Sequence, residues 1–193
     1  MKILIADDEA VIRIGLRTML EDAGHRVVGM ATNGRAALEL AQSAKPDLVI
    51  LDIKMPEMDG LETARHIMQK YPVPIVMLTA YSQRELVEQA KAAAVFGYLV
   101  KPVREDNLAM TLELAMIRFK EWKELRQQVK DLQTSLETRD VIDRAKRVLI
   151  ERDGMSEREA FLKIRRQSRA HRMPMLKIAQ EILKPNPTPT RKK

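Results

Sequence analysis

Five residues of this sequence stand where chemistry is possible. Asp7 and Asp8 follow the first short apolar run, Asp52 closes the third, Thr79 closes the fourth, and Lys101 follows the fifth, directly before Pro102. Three carboxylates brought to one place repel one another unless a cation joins them. An all-oxygen ligand set with room for water suits Mg2+. The chemistry therefore depends on whether the chain carries these residues to a common edge.

The elements between them answer that. Short apolar runs at Ile3–Ala6, Arg26–Ala31, Asp47–Ile53, Pro74–Leu78 and Phe96–Val100 alternate with amphipathic helical patterns near 9–22, 33–44, 60–70 and 83–93. Asn33-Gly34 and Asp59-Gly60 mark helix starts or turns, and Pro46, Pro72 and Pro74 punctuate the strand entries. Nearly continuous apolar strands indicate a sheet buried on both faces. The alternation predicts a doubly wound, five-stranded parallel sheet, whose ligands gather at the carboxyl ends of the strands. All five residues fall on that edge.

Composition narrows the classes. The 193 residues allow one ordinary domain and a smaller one. There are no cysteines, which excludes disulfides, thiol catalysis and thiolate metal sites. No run approaches the roughly 18–20 continuous apolar residues of a membrane span, and Lys2 is followed by a buried strand, not a signal peptide. A soluble cytoplasmic protein without membrane contact is expected. Charge is uneven: residues 1–120 hold 15 Lys+Arg against 16 Asp+Glu, whereas residues 121–193 hold 19 against 11. A basic end on a near-neutral body implies an anionic partner for that end.

A further helix starts at Arg104 and its pattern does not stop. Leu108, Leu112, Ala115, Phe119 and Trp122 step by four and three, and Leu125, Val129, Leu132 and Leu136 continue in a second register after a slip at Trp122. Part of this helix is expected to form a dimeric coiled coil, with a fold-back on its own chain as the alternative. Beyond it, Val141, Ala145, Val148 and Leu149 share a helical face that Arg152-Asp153-Gly154 ends. Ser156 and Glu159 form a capping box for a helix through Phe161 and Ile164, with Phe161 assigned to the core. Pro174 suits the first turn of a last helix ending at Lys184-Pro185, and the remaining tail is expected to be disordered.

The stretches "ILIADDEAVIR", "DLVILDIKMPEMDGLE", "IVMLTAY" and "FGYLVKP" resemble the receiver domain of response regulators, a flavodoxin-like fold. The resemblance implies that Asp52 accepts a phosphoryl group from a sensor histidine kinase. It further implies that Asp8 and Asp52 bind Mg2+ directly, Asp7 through water, and that the carbonyl of Lys54 completes the protein ligands. Lys101 and the Thr79 hydroxyl would hold the added oxygens, and Tyr98 matches the switch aromatic. Phosphorylation adds about −1.5 to −2 charges at one spot, enough to bias a two-state loop. The chain departs from the family at Ala94-Val95, where receivers often carry Gly-Ala.

The basic end offers no nucleophile–base pair, metal spacing or glycine-rich phosphate loop, so a regulator and not an enzyme is expected. His25, His66 and His171 read as structural polar residues. Arg165, Arg166, Arg169 and Arg172 on one helix, with Arg144, Lys146 and Arg147 on the preceding one, suit phosphate forks. The last helix is basic only at Lys177, which argues against a DNA-reading second helix. "AKRVLIERDGMSEREAFLKIRRQSRAHRMPMLKIAQEI" resembles an ANTAR domain, the RNA-binding antiterminator module of bacterial regulators. That family often has Gly where this chain has Arg147. The resemblance implies a phosphorylated dimer that binds paired hairpins of a leader transcript and prevents a terminator from forming. Ala145, Lys146, Arg165, Ser168, Arg169 and Arg172 are the expected RNA contacts, with Ala145 permitting close approach. Aromatic stacking is expected to matter little.

The expected organisation is a receiver over 1–120, a coiled-coil helix over 121–140, a three-helix RNA-binding domain over 141–184 and a tail over 185–193. A DNA-binding transcription factor, or an output that docks on another protein, are the competing readings.

Overall fold

The structure is a computed structural model that describes residues 1–80 and 95–184. The helix expected over 83–93, Ala94 of the departing turn, and the tail 185–193 lie outside the described residues.

Five strands, β1 (Lys2–Ala6), β2 (Arg26–Ala31), β3 (Leu48–Asp52), β4 (Ile75–Thr79) and β5 (Gly97–Val100), form one sheet in the order β2-β1-β3-β4-β5. Every neighbouring pair is parallel. All residues of β3 and β4 are buried, which is why their sequences show no polar alternation. The register pairs Ala6 with Leu51, Asp52 with Leu78, and Thr79 with Val100, so the ends of β1, β3, β4 and β5 come level.

Three helices, α1 (Ala10–Asp22), α2 (Gly34–Ala44) and α3 (Gly60–Lys70), return the chain between strands. Asn33 caps α2 by accepting from the Ala36 N–H at 2.8 Å, and Asp59 caps α3 by accepting from the Glu62 N–H at 2.7 Å. Such a cap stabilises a helix by about 1 kcal/mol and fixes where the loop at the strand ends must stop.

The next helix, α4 (Glu105–Asp153), runs for 49 residues. The expected boundaries at 120 and 140 therefore do not break the helix: it contains no glycine or proline from end to end, and nothing in its sequence stops it before Gly154. The apolar stripe also divides. Leu108, Leu112 and Ala115 are buried in the core of the sheet unit. Phe119 and Trp122 close over Phe96, with ring centroids 5.2 and 5.9 Å from it and 5.6 Å from each other. Two successive three-residue steps, 119 to 122 and 122 to 125, each fall about 60° short of a turn and carry the stripe to another face. On that face Leu125, Val129, Leu132 and Leu136 are 46–67% exposed.

The chain separates into two compact units, Met1–Glu124 and Leu125–Lys193. In the second, the end of α4 packs with α5 (Glu157–Ala170) and α6 (Met175–Leu183). Its fully buried side chains, among the described residues, are Ala145, Leu149, Ala160, Ile164, Ile178 and Ala179. Gly154, at φ +66°, takes the left-handed turn that ends α4. The capping box at Ser156 and Glu159 is formed in full. Pro174 stands one residue earlier than expected, as the N-cap of α6 and not in its first turn.

Candidate functional site

Because the strand ends are level, Asp7, Asp8 and Asp52 meet. One oxygen from each lies within 4.8 Å of the others. Asp7 is fully buried and Asp52 nearly so, while Asp8 is exposed. Lys101 reaches in from the end of β5, its Nζ 2.8 Å from Asp7 Oδ2, 3.2 Å from Asp52 Oδ1 and 3.5 Å from Glu9 Oε1. Thr79 and Lys54 line the same cleft with Asp8, Glu9, Asp52 and Lys101. Tyr98 is half-buried on β5, opposite Met77, and burial pushes its phenol up.

The electrostatics follow from the geometry. Burial, then the charges of Asp7 and Asp8, push the Asp52 carboxyl up, and Lys101 opposes them incompletely. Burial pulls the Lys101 ammonium down, but its hydrogen bond to Asp7 and the charges of Asp52 and Asp7 prevail and raise it. One ammonium thus lies within 3.5 Å of three carboxylates, with Asp8 lining the same cleft. Asp7 Oδ2 is buried, and its contact among the described residues is the Lys101 ammonium at 2.8 Å, an ion pair whose angle is poor for a hydrogen bond. A converging all-oxygen donor set, with a buried anionic oxygen that only an ion pair relieves and a solvent-open side at Asp8, fits a hard divalent cation.

Three residues that the sequence reading passes over hold this edge in place. Arg13, one turn into α1, donates from Nη1 to the carbonyls of Asp7 at 2.7 Å and Asp8 at 3.0 Å. Glu9 N–H donates to Asp7 Oδ1 at 2.8 Å while its carboxylate approaches Lys101. Gly60 seats α3 against the end of β3: a Cβ there would stand 2.0 Å from the Asp52 carbonyl oxygen. Only Gly60 left a trace in the sequence, as half of Asp59-Gly60; the other two depend on where α1 packs.

In the second unit the expected contact residues part company. Arg165, Arg169 and Arg172 are exposed, Arg172 at the left-handed φ of 52° that turns the chain out of α5. Ser168 is half-buried and donates from Oγ to the Met173 carbonyl at 2.6 Å, so it fastens the turn between α5 and α6. Ala145 is corrected: it is 0% exposed, because it sits on the core face of α4 with Leu149. Lys146 is held 2.7 Å from Asp143 and 2.8 Å from Glu157, joining α4 to α5. Phe161 is also corrected. Ala160 and Ile164 carry the core face of α5, and Phe161, about 100° further round, is 40% exposed.

The model of the "Response regulator receiver domain" family matches residues 3–113, and that of the "ANTAR domain" family matches residues 130–183. The second match begins within the stretch assigned above to a linker. Transcriptional regulatory protein PdtaR of Mycobacterium tuberculosis is 45% identical over 188 residues, 97% of this chain and 92% of that protein. Among solved structures, the receiver domain of a modulated diguanylate cyclase from Desulfovibrio desulfuricans G20 has a TM-score of 0.58 at 34% identity, covering 62% of this chain and 95% of that one. Chemotaxis response regulator CheY4 of Vibrio cholerae has a TM-score of 0.55 at 37% identity, covering 59% and 97%. An acidic edge on a parallel sheet and a basic helical unit behind it, matched in that order by two family models, show that the chain belongs to the response regulators built from a receiver domain and an ANTAR domain.

Proposed function

We propose that this protein is a cytoplasmic response regulator phosphorylated on Asp52 by a sensor histidine kinase, and that phosphorylation controls RNA binding by the ANTAR domain and hence transcription antitermination. The observation that carries the first half is the meeting of Asp7, Asp8 and Asp52 within 4.8 Å beside Lys101. An ionised Asp52 oxygen attacks phosphorus as the phosphorus–nitrogen bond of the kinase's phosphohistidine breaks. Mg2+, held by Asp8 and Asp52, by Asp7 through water and by the Lys54 carbonyl, would offset the charge on nucleophile and phosphoryl group. Lys101 exchanges its carboxylate partners for phosphoryl oxygens, the Thr79 hydroxyl donates to the same group, and Tyr98 turns inward behind it.

For the output, exposed Arg165, Arg169 and Arg172 on one short segment support an anionic ligand, and membership of the ANTAR family favours RNA over DNA. Lys146 and Ser168 act in this reading through the scaffold that presents those arginines. A second copy of the chain covers Leu125, Val129, Leu132 and Leu136, which stay 46–67% exposed along α4 among the described residues.

Two experiments test the reading. The protein, treated with acyl phosphate and Mg2+, is expected to gain one phosphoryl group and to shift a leader RNA with two hairpins in preference to promoter DNA of the same operon. Equal, sequence-blind and salt-sensitive binding to both would refute specific RNA recognition. Replacing Val129 and Leu132 by glutamate is expected to halve the mass in sedimentation; an unchanged mass removes that face as the interface.

A further inference from the structure

We propose that Phe161 is a base-stacking platform on the RNA-binding face of α5; this rests on the reading above that the ANTAR domain binds RNA. The sequence alone places this ring in the core, and the structure leaves it 40% exposed. The core face of α5 is carried by Ala160 and Ile164, so Phe161 is not needed to fill it.

What surrounds the ring points to the ligand. Arg158 stands three residues before it and Arg165 four residues after it, both exposed, and such spacings make side chains neighbours on a helix. Arg169 continues the same side. The nearest acid at that spacing is Glu157, and its carboxylate is already engaged by Lys146 at 2.8 Å. Glu157 also lines a groove with Asp143, Lys146, Arg147 and Ile150, where Lys146 engages both carboxylates and Arg147 is exposed. A ring flanked by guanidinium groups, with the local acid neutralised, offers phosphate donors and a flat apolar surface together. Single-stranded loops are where RNA presents unstacked bases for such a surface. A protein partner would call for a wider apolar patch, and charged side chains occupy the positions where that patch would extend.

The test uses the full-length protein and a synthetic RNA of two short hairpins with a fluorescent adenine analogue in the loops. Phe161→Ala and Phe161→Leu are both expected to weaken binding about ten-fold or more, whereas Phe161→Tyr and Phe161→Trp retain it, as stacking on an aromatic face requires. The salt dependence of binding stays as in the wild type for all four, because no phosphate contact is lost; Arg165→Ala, by contrast, lowers the slope by about one. Analogue fluorescence changes on binding to the wild type and not to Phe161→Leu. Thermal melting of Phe161→Leu matching the wild type separates lost stacking from lost folding. Wild-type affinity and wild-type fluorescence in Phe161→Leu overturn the proposal while leaving RNA binding in place. Failure of the wild type itself to bind overturns the RNA reading as well. A smaller sedimented mass in Phe161→Leu overturns it in favour of a contact between copies.

Discussion

Lys101 and Lys146 each stand between two carboxylates, the first 2.8 Å from Asp7 and 3.2 Å from Asp52, the second 2.7 Å from Asp143 and 2.8 Å from Glu157. The arrangements look alike and behave in opposite ways. Asp7 and Asp52 are 0% and 6% exposed, and burial pushes the Asp52 carboxyl up. Asp143 lies at the surface, where its hydrogen bond from Lys146 and nearby cations hold its carboxyl down. The first cluster has more negative charge than one ammonium can balance and cannot turn to water for relief. It is poised for an added cation and an added anion. The second has the same one ammonium between two carboxylates, but those carboxylates are 44% and 75% exposed, so solvent screens them and the cluster serves to hold two helices together. Burial, not the count of charges, separates a reactive cluster from a scaffold.

The sharpest way to break this contrast is at the buried cluster. Asp52→Asn is expected to abolish phosphoryl incorporation from acyl phosphate, read by intact mass, with the fold retained. Full incorporation in that variant would mean another group is the acceptor. Next in size is Gly60→Ala. Its new methyl must displace α3 from the Asp52 carbonyl, at a cost of about 1–3 kcal/mol, so a lower melting temperature and slower phosphorylation should appear together.

At the exposed cluster the contrast predicts small effects. Lys146→Met is expected to change RNA affinity less than about two-fold at fixed salt, while Arg165→Ala and Arg169→Ala each weaken it and flatten its salt dependence by about one. An effect of Lys146→Met as large as that of Arg165→Ala would place Lys146 back at the interface.

Acidification gives the finest comparison. The Glu159 carboxyl is held down by the Ser156 N–H and hydroxyl, and Asp143 is held down by Lys146. Folded values below the unfolded ones mean that their stabilisation is present above the ordinary carboxylate range, about pH 4, and is lost as pH falls through the folded values. Asp52, shifted up, has the reverse sign: between its unfolded and folded values the native state holds the extra proton, so its contribution to stability falls as pH rises. Hydrogen exchange on the intact chain is expected to show the second unit loosening first on acidification. Phosphorylation by acyl phosphate is expected to accelerate as pH rises through the Asp52 value.

Much of the receiver is readable in its sequence. The positions of Asp7, Asp8, Asp52, Thr79 and Lys101 at the ends of apolar runs sufficed to place them on one edge, since parallel strands leave no other arrangement. Arg13 and Glu9 were not readable, because what they touch depends on how α1 lies against the sheet. In the second unit, charge was legible and burial was not. Ala145 and Phe161 exchanged places, the small residue going inside and the large one outside. The inner face of α5 is carried by Ala160 and Ile164, against Ala145, Leu149, Ile178 and Ala179, and Phe161 lies one residue off that face. The phase of α5, set by the capping box at Ser156, contained that information, but only once Ala160 and Ile164 were known to define the inner face.

That core has a bearing on how long the regulator lasts in a cell. Among the described residues its centre is six buried side chains, three of them alanines, with eight partly buried apolar side chains around them, a small core for three helices. A core of that size is expected to open more often than the sheet unit, and what opens is what proteases cut. A ligand that engages only the closed form suppresses opening in proportion to its occupancy. If the ligand is the RNA proposed above, abundance of the protein would track the supply of that transcript, so that turnover itself would report whether the regulator is in use.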